Sequence, residues 1–244
     1  MEIDESTQYI TLPANFCKIR ESIDELMQKV FPKHCTKLQN HQWLSTRAIL
    51  AAKNIDVNTI NFTIQNGIPS ETTTYKSIDT VENQDEVVNY PTEFLNSLDL
   101  PGMPPHVLIL KIGVPIILLR NINPPRLCNG TRLSVKKIMN NVIEATLLTR
   151  KFKGEDVLLP RIPMIPTDMP FEFKRLQFPV RLAFAMTIDK AQGQSLQVCG
   201  LNLENPCFSH GQLYVACSRV GKPDLFVNAP DGKRRNIVYP TALQ

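Results

Sequence analysis

The sequence predicts an α/β fold interrupted by a small all-β module, and three observations carry that prediction. Short apolar strands alternate with helical patterns near both ends of the chain, as where "RAILAAKN" leads into "IDVNTINFTIQNG". A polar, acidic, proline-punctuated stretch from Ser70 to Pro105 then breaks the pattern. Beyond it, as far as Pro170, the chain reads as short strands and turns with no helical period.

The elements follow in order. "ITLPANFC" reads as an extended entry ending at Pro13, and Ile19, Ile23, Leu26, Met27 and Val30 then recur at helical spacing until Pro32 closes the run. Ala48 to Ala52 is a short apolar strand that ends at Lys53 and Asn54. The following Ile55, Val57, Ile60 and Phe62 predict a helix stopped by Gly67. From Val107 to Leu119 the apolar run divides into two strands at Gly113 and Pro115. Asn129-Gly130 is a turn signal, and Asn140-Asn141 sits between two alternating arms, the pattern of a hairpin. Prolines at 160, 163, 166 and 170 make an extended return. Strands at Leu182–Met186, Val198–Leu203 and Leu225–Asn228, with a helix ending near Ser218, complete the reading.

At 244 residues and 43% hydrophobic, the chain can bury a sizeable core. The start, "MEIDESTQYI", lacks the basic-then-apolar pattern of a signal peptide. Val107 to Leu119 contains Lys111 and falls short of the roughly 20 apolar residues a membrane span needs. A soluble protein with no membrane partner is expected. The six cysteines form no CxxC pair and read as reduced thiols; Cys17, His34, Cys35 and His41 match no zinc-finger spacing, so no metal site is expected.

Charge is spread unevenly along the chain. Residues 1–100 carry 8 basic and 14 acidic side chains, residues 106–154 carry 9 and 1, and residues 155–244 carry 10 and 8. A block so basic within a near-neutral chain fits contact with a polyanion, or else a solvated basic face. Within it Arg120, Arg126, Arg132, Lys136 and Lys137 are the candidate phosphate contacts, which bind without reading sequence. Phe152 is the one aromatic residue in the block, so base stacking is expected to be minor.

Three stretches, "LKIGVPIILLRNI…LCNGTRL", "FPVRLAFAMTIDKAQGQSL" and "GQLYVACSRV", together resemble the C-terminal half of superfamily-one DNA helicases of the Pif-one type, and within those the helicase region of Helitron transposons. The resemblance runs from about Ile10 to Pro240. It implies a RecA-like domain of the P-loop NTPase type, the second of two in such a motor, with an inserted small barrel similar to Src-homology-3 domains. Residues 1–45 are then a connector from a first RecA-like domain, 46–90 and 171–244 the second, and 91–170 the barrel.

The resemblance also assigns roles. Arg219 falls where the family places an arginine finger, which neutralises charge on the transferring phosphoryl group of ATP. Lys53 falls where related helicases put a basic residue near the γ-phosphate. Lys190, Gln192 and Gly193 lie in the loop that senses the nucleotide, with Thr187 and Gln194 toward the DNA backbone. Asp189 departs from the neutral Asn or the His usual in that loop. ATP and Mg²⁺ are the implied cofactors, single-stranded DNA the implied partner, and the nucleus the implied location.

A phosphate loop needs G-x-x-x-x-G-K-[ST]. None of the ten glycines stands five residues from another, and the Gly-Lys pairs at 221–222 and 232–233 are followed by Pro223 and Arg234. No Asp-Glu pair follows an apolar strand. The chain alone is therefore expected not to hydrolyse ATP. It reads either as a portion of a helicase whose first domain is supplied in cis or in trans, or as a non-catalytic single-strand-binding module or transposon remnant.

Overall fold

A computed structural model describes residues 2–3, 9–11, 16–81, 89–149, 151–166, 169–220, 224–229 and 233–235. The chain divides into two units, one made of residues 1–69 and 183–244 and the other of Ser70–Leu182.

The short strands β1 (Glu2–Ile3), β2 (Tyr9–Thr11) and β18 (Lys233–Arg235) pair with one another, and the first unit is built on a separate, five-stranded sheet. Its strands β3 (Lys18–Arg20), β4 (Arg47–Ala51), β15 (Ala185–Thr187), β16 (Val198–Asn202) and β17 (Leu225–Asn228) lie in the order β15-β4-β16-β17-β3. Every pairing is parallel. Both faces of such a sheet must be covered, and β4 accordingly reads Arg-Ala-Ile-Leu-Ala, its last four residues all buried. Helix α1 (Ile23–Val30) begins at Ser22, whose Oγ accepts from the Glu25 amide, and carries Asp24 and Glu25 in its first turn and Lys29 in its last. It buries Leu26 and Val30 against Gly200 of β16, where a Cβ would lie 2.8 Å from Val30 Cγ2. Phe31 meets Trp43 and Phe184 edge-on, closing this side of the core.

Two short helices, α2 (His34–Lys37) and α3 (His41–Ser45), lie between α1 and β4 in the chain, and helix α4 (Asn54–Asn66) follows β4. Its Asn61 is buried and makes two bonds to one residue: Nδ2 donates to the Ala185 carbonyl at 2.9 Å and Oδ1 accepts from the Ala185 amide at 2.8 Å. The carboxamide thus stands in for a missing strand beside the sheet-edge strand β15. The helix expected from the apolar period is found here, and β16, β17 and the helix α6 (Gln212–Cys217) lie where the sequence put them.

Two expectations about this unit need correction. The segment 1–45, read as a connector, supplies β3 to the sheet edge and α1 to its face, with Leu26, Val30, Phe31 and Leu44 at 1% exposure or less. Apolar side chains at helical spacing were the signal for α1, but a three-residue strand carrying Lys18 and Arg20 leaves no apolar pattern. The strand expected at Leu182–Met186 is two strands: β14 (Val180–Leu182) belongs to the other unit and β15 to this one, with Ala183 and Phe184 buried between them.

The second unit is almost wholly β. Strands β8 (Pro115–Leu118), β9 (Arg132–Ile138), β10 (Val142–Leu147), β11 (Asp156–Pro160) and β14 form an antiparallel sheet in the order β11-β10-β9-β8-β14. The hairpin expected at Asn140-Asn141 is present, with the Met139 amide donating to the Val142 carbonyl, and Gly130 takes a φ of +83° in its turn. Strands β6 (Ile78–Val81), β12 (Ile162–Met164) and β13 (Phe173–Gln177) make a second sheet, and β5 (Thr73–Lys76) pairs with β7 (Val107–Leu110). The helix α5 (Thr92–Ser97) contributes Leu95 to a core with Met103, Leu119, Met164, Phe171 and Phe173.

The boundaries of this unit therefore fall at 70 and 182, outside the 91 and 170 that the sequence suggested. The polar stretch after Ser70 supplies β5 and β6, which pair with β7 and β13. A buried ion pair fastens it. Arg175 of β13 and Asp79 of β6 have fully buried side chains 2.7 Å apart. The Arg175 guanidinium donates to both Asp79 oxygens and to the carbonyls of Leu95, Leu98 and Pro104. All five of its N–H groups have acceptors. Asp79 also accepts from Ser77 Oγ at 2.6 Å, and Ser77 Oγ lies 2.8 Å from His106 Nδ1. Because that hydroxyl hydrogen is committed to Asp79, the His106 Nδ1 must carry its own proton and donate.

Arg175→Ala is expected to destabilise this unit by about 3–5 kcal/mol, the effect of stranding a buried carboxylate. Hydrogen exchange of the β6 and β13 amides under mild denaturant measures it. A loss below about 1 kcal/mol, the worth of a surface pair, would remove the pair from this role.

Candidate functional site

In the first unit the candidate residues other than Arg219 sit at, or on loops leaving, the carboxyl ends of parallel strands. Thr187 is the last residue of β15 and pairs in register with Ala51 at the end of β4. A turn of 3₁₀ helix, Asp189–Ala191, follows, and Gln192 and Gly193 are exposed at its end. Gly193 takes a φ of +76°, a conformation that explains glycine at this point of the loop. Asp189 is exposed too, so its charge costs nothing in desolvation. Gln194 Nε2 donates to the Lys190 carbonyl at 3.2 Å, closing the loop on itself.

Arg219 stands just beyond α6 and is bound to that loop. The Leu196 amide donates to the Arg219 carbonyl at 2.9 Å, and Arg219 Nη1 donates to the Gln194 carbonyl at 3.4 Å. Its Nε donates to the Val215 carbonyl at 2.9 Å and its Nη2 to Ser218 Oγ at 2.8 Å. The side chain thereby caps its own helix, a favourable place for a cation. One N–H on each terminal nitrogen is left to offer to another acceptor. The two stretches that the sequence singled out separately are thus one hydrogen-bonded structure.

Lys53 is the N-cap residue of α4 and is exposed. Its Nζ donates to Asn205 Oδ1 at 3.3 Å, and Asn205 Nδ2 donates to both oxygens of Asp56 at 2.9 and 3.0 Å. Asp56 and Asn205 were not among the predicted residues. An acidic residue in a first helical turn and an asparagine before a proline are too common to mark a site.

Beneath α6 the thiols are inert. Burial pushes Cys217 up to about 12, helped by Cys17 and Cys207 nearby. It pushes Cys199 higher still, with Cys217 adding to the rise and Arg219 opposing it. Cys35 is exposed. Among the described residues no group of three or more His, Cys, Asp or Glu is placed to hold a metal ion.

The basic residues of the second unit behave differently from one another. Arg132 is fully buried in β9, where burial lowers its pKa to about 10. Its assignment as a phosphate contact is therefore corrected: the first four residues of β9, Arg132–Val135, are all buried, and the strand reaches solvent only at Lys136 and Lys137. Lys136 lies 2.6 Å from Asp156 and 2.8 Å from Glu144, and hydrogen bonds to those carboxylates, Asp156 first, raise its pKa. Arg126 pairs with Glu155 at 2.8 Å. The basic block drawn at 106–154 holds Glu144 but ends one residue short of Glu155 and Asp156. Lys137, exposed, and Arg120, half-buried, form no salt bridge among the described residues.

These features can be set beside known proteins. The family description "DNA helicase Pif1, 2B domain" matches residues 93–138, inside the second unit. The fold is a mixed α/β fold similar to that of solved Pif1 helicases. The Candida albicans Pif1 helicase aligns over 91% of this chain and 56% of its own, with a TM-score of 0.60 and 22% identity. Bacteroides Pif1 in complex with ADP-AlF3 and ssDNA aligns over 92% and 53%, with a TM-score of 0.62 and 19% identity. In sequence the chain is similar to ATP-dependent DNA helicases of the Pif1 type. It is 30% identical over 179 residues to the helicase PIF6 of Trypanosoma brucei brucei and 36% identical over 115 residues to Pif1 of Bdellovibrio bacteriovorus. It spans 22% and 25% of those proteins, covering them with 62% and 46% of its own length.

Iodoacetamide near neutral pH is expected to label Cys35 in the native chain while Cys17, Cys199, Cys207 and Cys217 react only after unfolding. Peptide mass spectrometry with and without urea reads this directly, and native labelling of Cys199 at the rate of Cys35 would contradict the packing described.

Proposed function

We propose that the chain is the C-terminal portion of an ATP-dependent DNA helicase that translocates 5′ to 3′, with affinity to the Helitron type, acting in repair, recombination or rolling-circle transposition in the nucleus. The observation that carries the reading is the bonding of Arg219 to the loop 187–196. A motor must couple phosphoryl transfer to its grip on DNA. An arginine finger fastened to the backbone of a DNA-facing loop supplies such a coupling.

In this reading the first unit is the second RecA-like domain and the second unit the inserted Src-homology-3-like barrel. Arg219 and Lys53 carry N–H donors suited to phosphate oxygens. The phosphate cradle and the Mg²⁺ ligands come from a first RecA-like domain, in cis or in trans, since no G-x-x-x-x-G-K loop occurs in the sequence and no metal-holding group among the described residues. Single-stranded DNA is the partner, which the bound ssDNA of the Bacteroides relative supports; Thr187 and Gln194 of the first unit and, separately, Arg120 and Lys137 of the second are its candidate phosphate contacts. A second reading keeps the DNA contacts without the motor, a non-catalytic single-strand-binding module, for which the exposed Lys137 and half-buried Arg120 would suffice.

Binding of the chain to a single-stranded oligonucleotide is expected to weaken with salt, losing about 0.7 in the logarithmic slope for each phosphate contact removed. Arg120→Ala and Lys137→Ala should each flatten the slope, whereas Lys136→Ala should change it least because two carboxylates already neutralise that ammonium. No binding at low salt would sink both readings. Joined to an ATPase half from a bacterial relative, the chain should support DNA-stimulated hydrolysis, and Arg219→Ala should lower turnover roughly 10³–10⁵-fold with DNA affinity intact. Undiminished turnover would refute the finger, and no turnover in the unsubstituted fusion would favour the non-catalytic module.

A further inference from the structure

Ala51 and Asn202 end neighbouring parallel strands in register, so the segments that leave them run side by side. Lys53 lies on one and Asn205 on the other. Asp56, in the first turn of α4, is the third member. Its two oxygens both accept from Asn205 Nδ2, at 2.9 and 3.0 Å. That bidentate grip fixes the orientation of the carboxamide, because a flipped amide would set its oxygen against a carboxylate. The Asn205 oxygen is thereby turned toward Lys53 Nζ, 3.3 Å away. One of the three ammonium hydrogens is then engaged, and the side chain is exposed, so two are left for another acceptor.

We propose that Asn205 and Asp56 are positioning residues that hold the Lys53 ammonium in place for a phosphate group. The inference rests on the reading of Lys53 as phosphate-facing. A free lysine loses up to ~2 kcal/mol of rotamer freedom when it is fixed on a ligand, and a side chain already tethered has part of that loss behind it. The tether is a neutral oxygen rather than a carboxylate, so the positive charge is held without being cancelled. Lys136, with two carboxylates on it, shows the opposite arrangement in the same chain.

A purely structural role makes a prediction of opposite sign. If Asp56 serves only the helix dipole, removing its negative charge beside an anion site strengthens anion binding by simple Coulomb attraction. If it positions Lys53, removing it weakens binding. The experiment uses the full chain and its Asn205→Ala, Asp56→Ala and Lys53→Ala variants, with two probes, tripolyphosphate and a thymidine oligonucleotide. Side-chain ¹⁵N NMR of the Lys53 ammonium, without probe, should show faster motion in both Asn205→Ala and Asp56→Ala. Affinity should fall roughly 2- to 10-fold in each, the worth of one hydrogen bond. A response to tripolyphosphate identifies a nucleotide phosphate, and a response to the oligonucleotide alone identifies the DNA backbone. Tighter binding by Asp56→Ala, or an unchanged ammonium signal in Asn205→Ala, overturns the positioning role. If Lys53→Ala leaves both affinities unchanged, the phosphate reading of Lys53 falls first and takes this inference with it. Should Asp56→Ala not fold, Asn205→Ala decides the matter alone, since it leaves the helix untouched.

Discussion

Arg175 and Asp79 impose the strictest condition on the second unit, because neither side chain reaches water. A buried charge is tolerated only where every donor and acceptor is met. The three carbonyls that complete the Arg175 guanidinium come from the end of α5 and from the loop before β7. Ser77 and His106 extend the same network, and Gln177 adds a bond to the His106 carbonyl. One ion pair therefore dictates where a long irregular stretch must lie. Hydrophobic replacement of such pairs is often neutral for stability. Here it would leave three carbonyls without a donor, so the pair serves to specify one arrangement.

The first unit meets a comparable need with neutral groups. Its sheet is parallel, so the loops that leave the strand ends all gather on one edge. Precision at that edge depends on β15, an edge strand of three residues, which the Asn61 carboxamide holds from outside. Thr187 and the loop beyond it inherit their placement from that clasp. Arg219 and Lys53 are then fastened locally, one to backbone carbonyls and the other to Asn205. Both retain N–H groups for another acceptor, which Arg175, with all five engaged, does not.

Much of this was legible in the sequence. Strands β4, β16 and β17 and helices α1 and α4 announce themselves by apolar runs and period, because burial on one or two faces demands them. The hairpin at Asn140-Asn141 was equally plain, since turn chemistry is local. What escaped was non-local. Strands β5 and β6 are polar, and their partners β7 and β13 lie far along the chain. Arg132 counts as a charge in any composition, yet its strand turns it inward. Lys136 lost its place as a simple phosphate contact to acids on two other strands, and Asn205 gained significance only through Asp56, 149 positions away. Residue type indicated the chemistry, and which side of an element a residue faces decided whether that chemistry was available.

The interruption of the first unit between Pro69 and Ala183 bears on how the chain reaches its native state. Strand β4 must wait for β15 and β16, and closing so long a loop in a disordered chain is entropically slow. The inserted unit has its own core and its own sheets, so it can become compact while the outer strands are still apart. Once compact it no longer behaves as a long flexible tether, and the search by β4 for its partners is shortened. Synthesis from the N-terminus imposes the same sequence of events, since β15 emerges only after the insertion is complete. The insertion that divides the domain in sequence is, in this sense, an aid to assembling it.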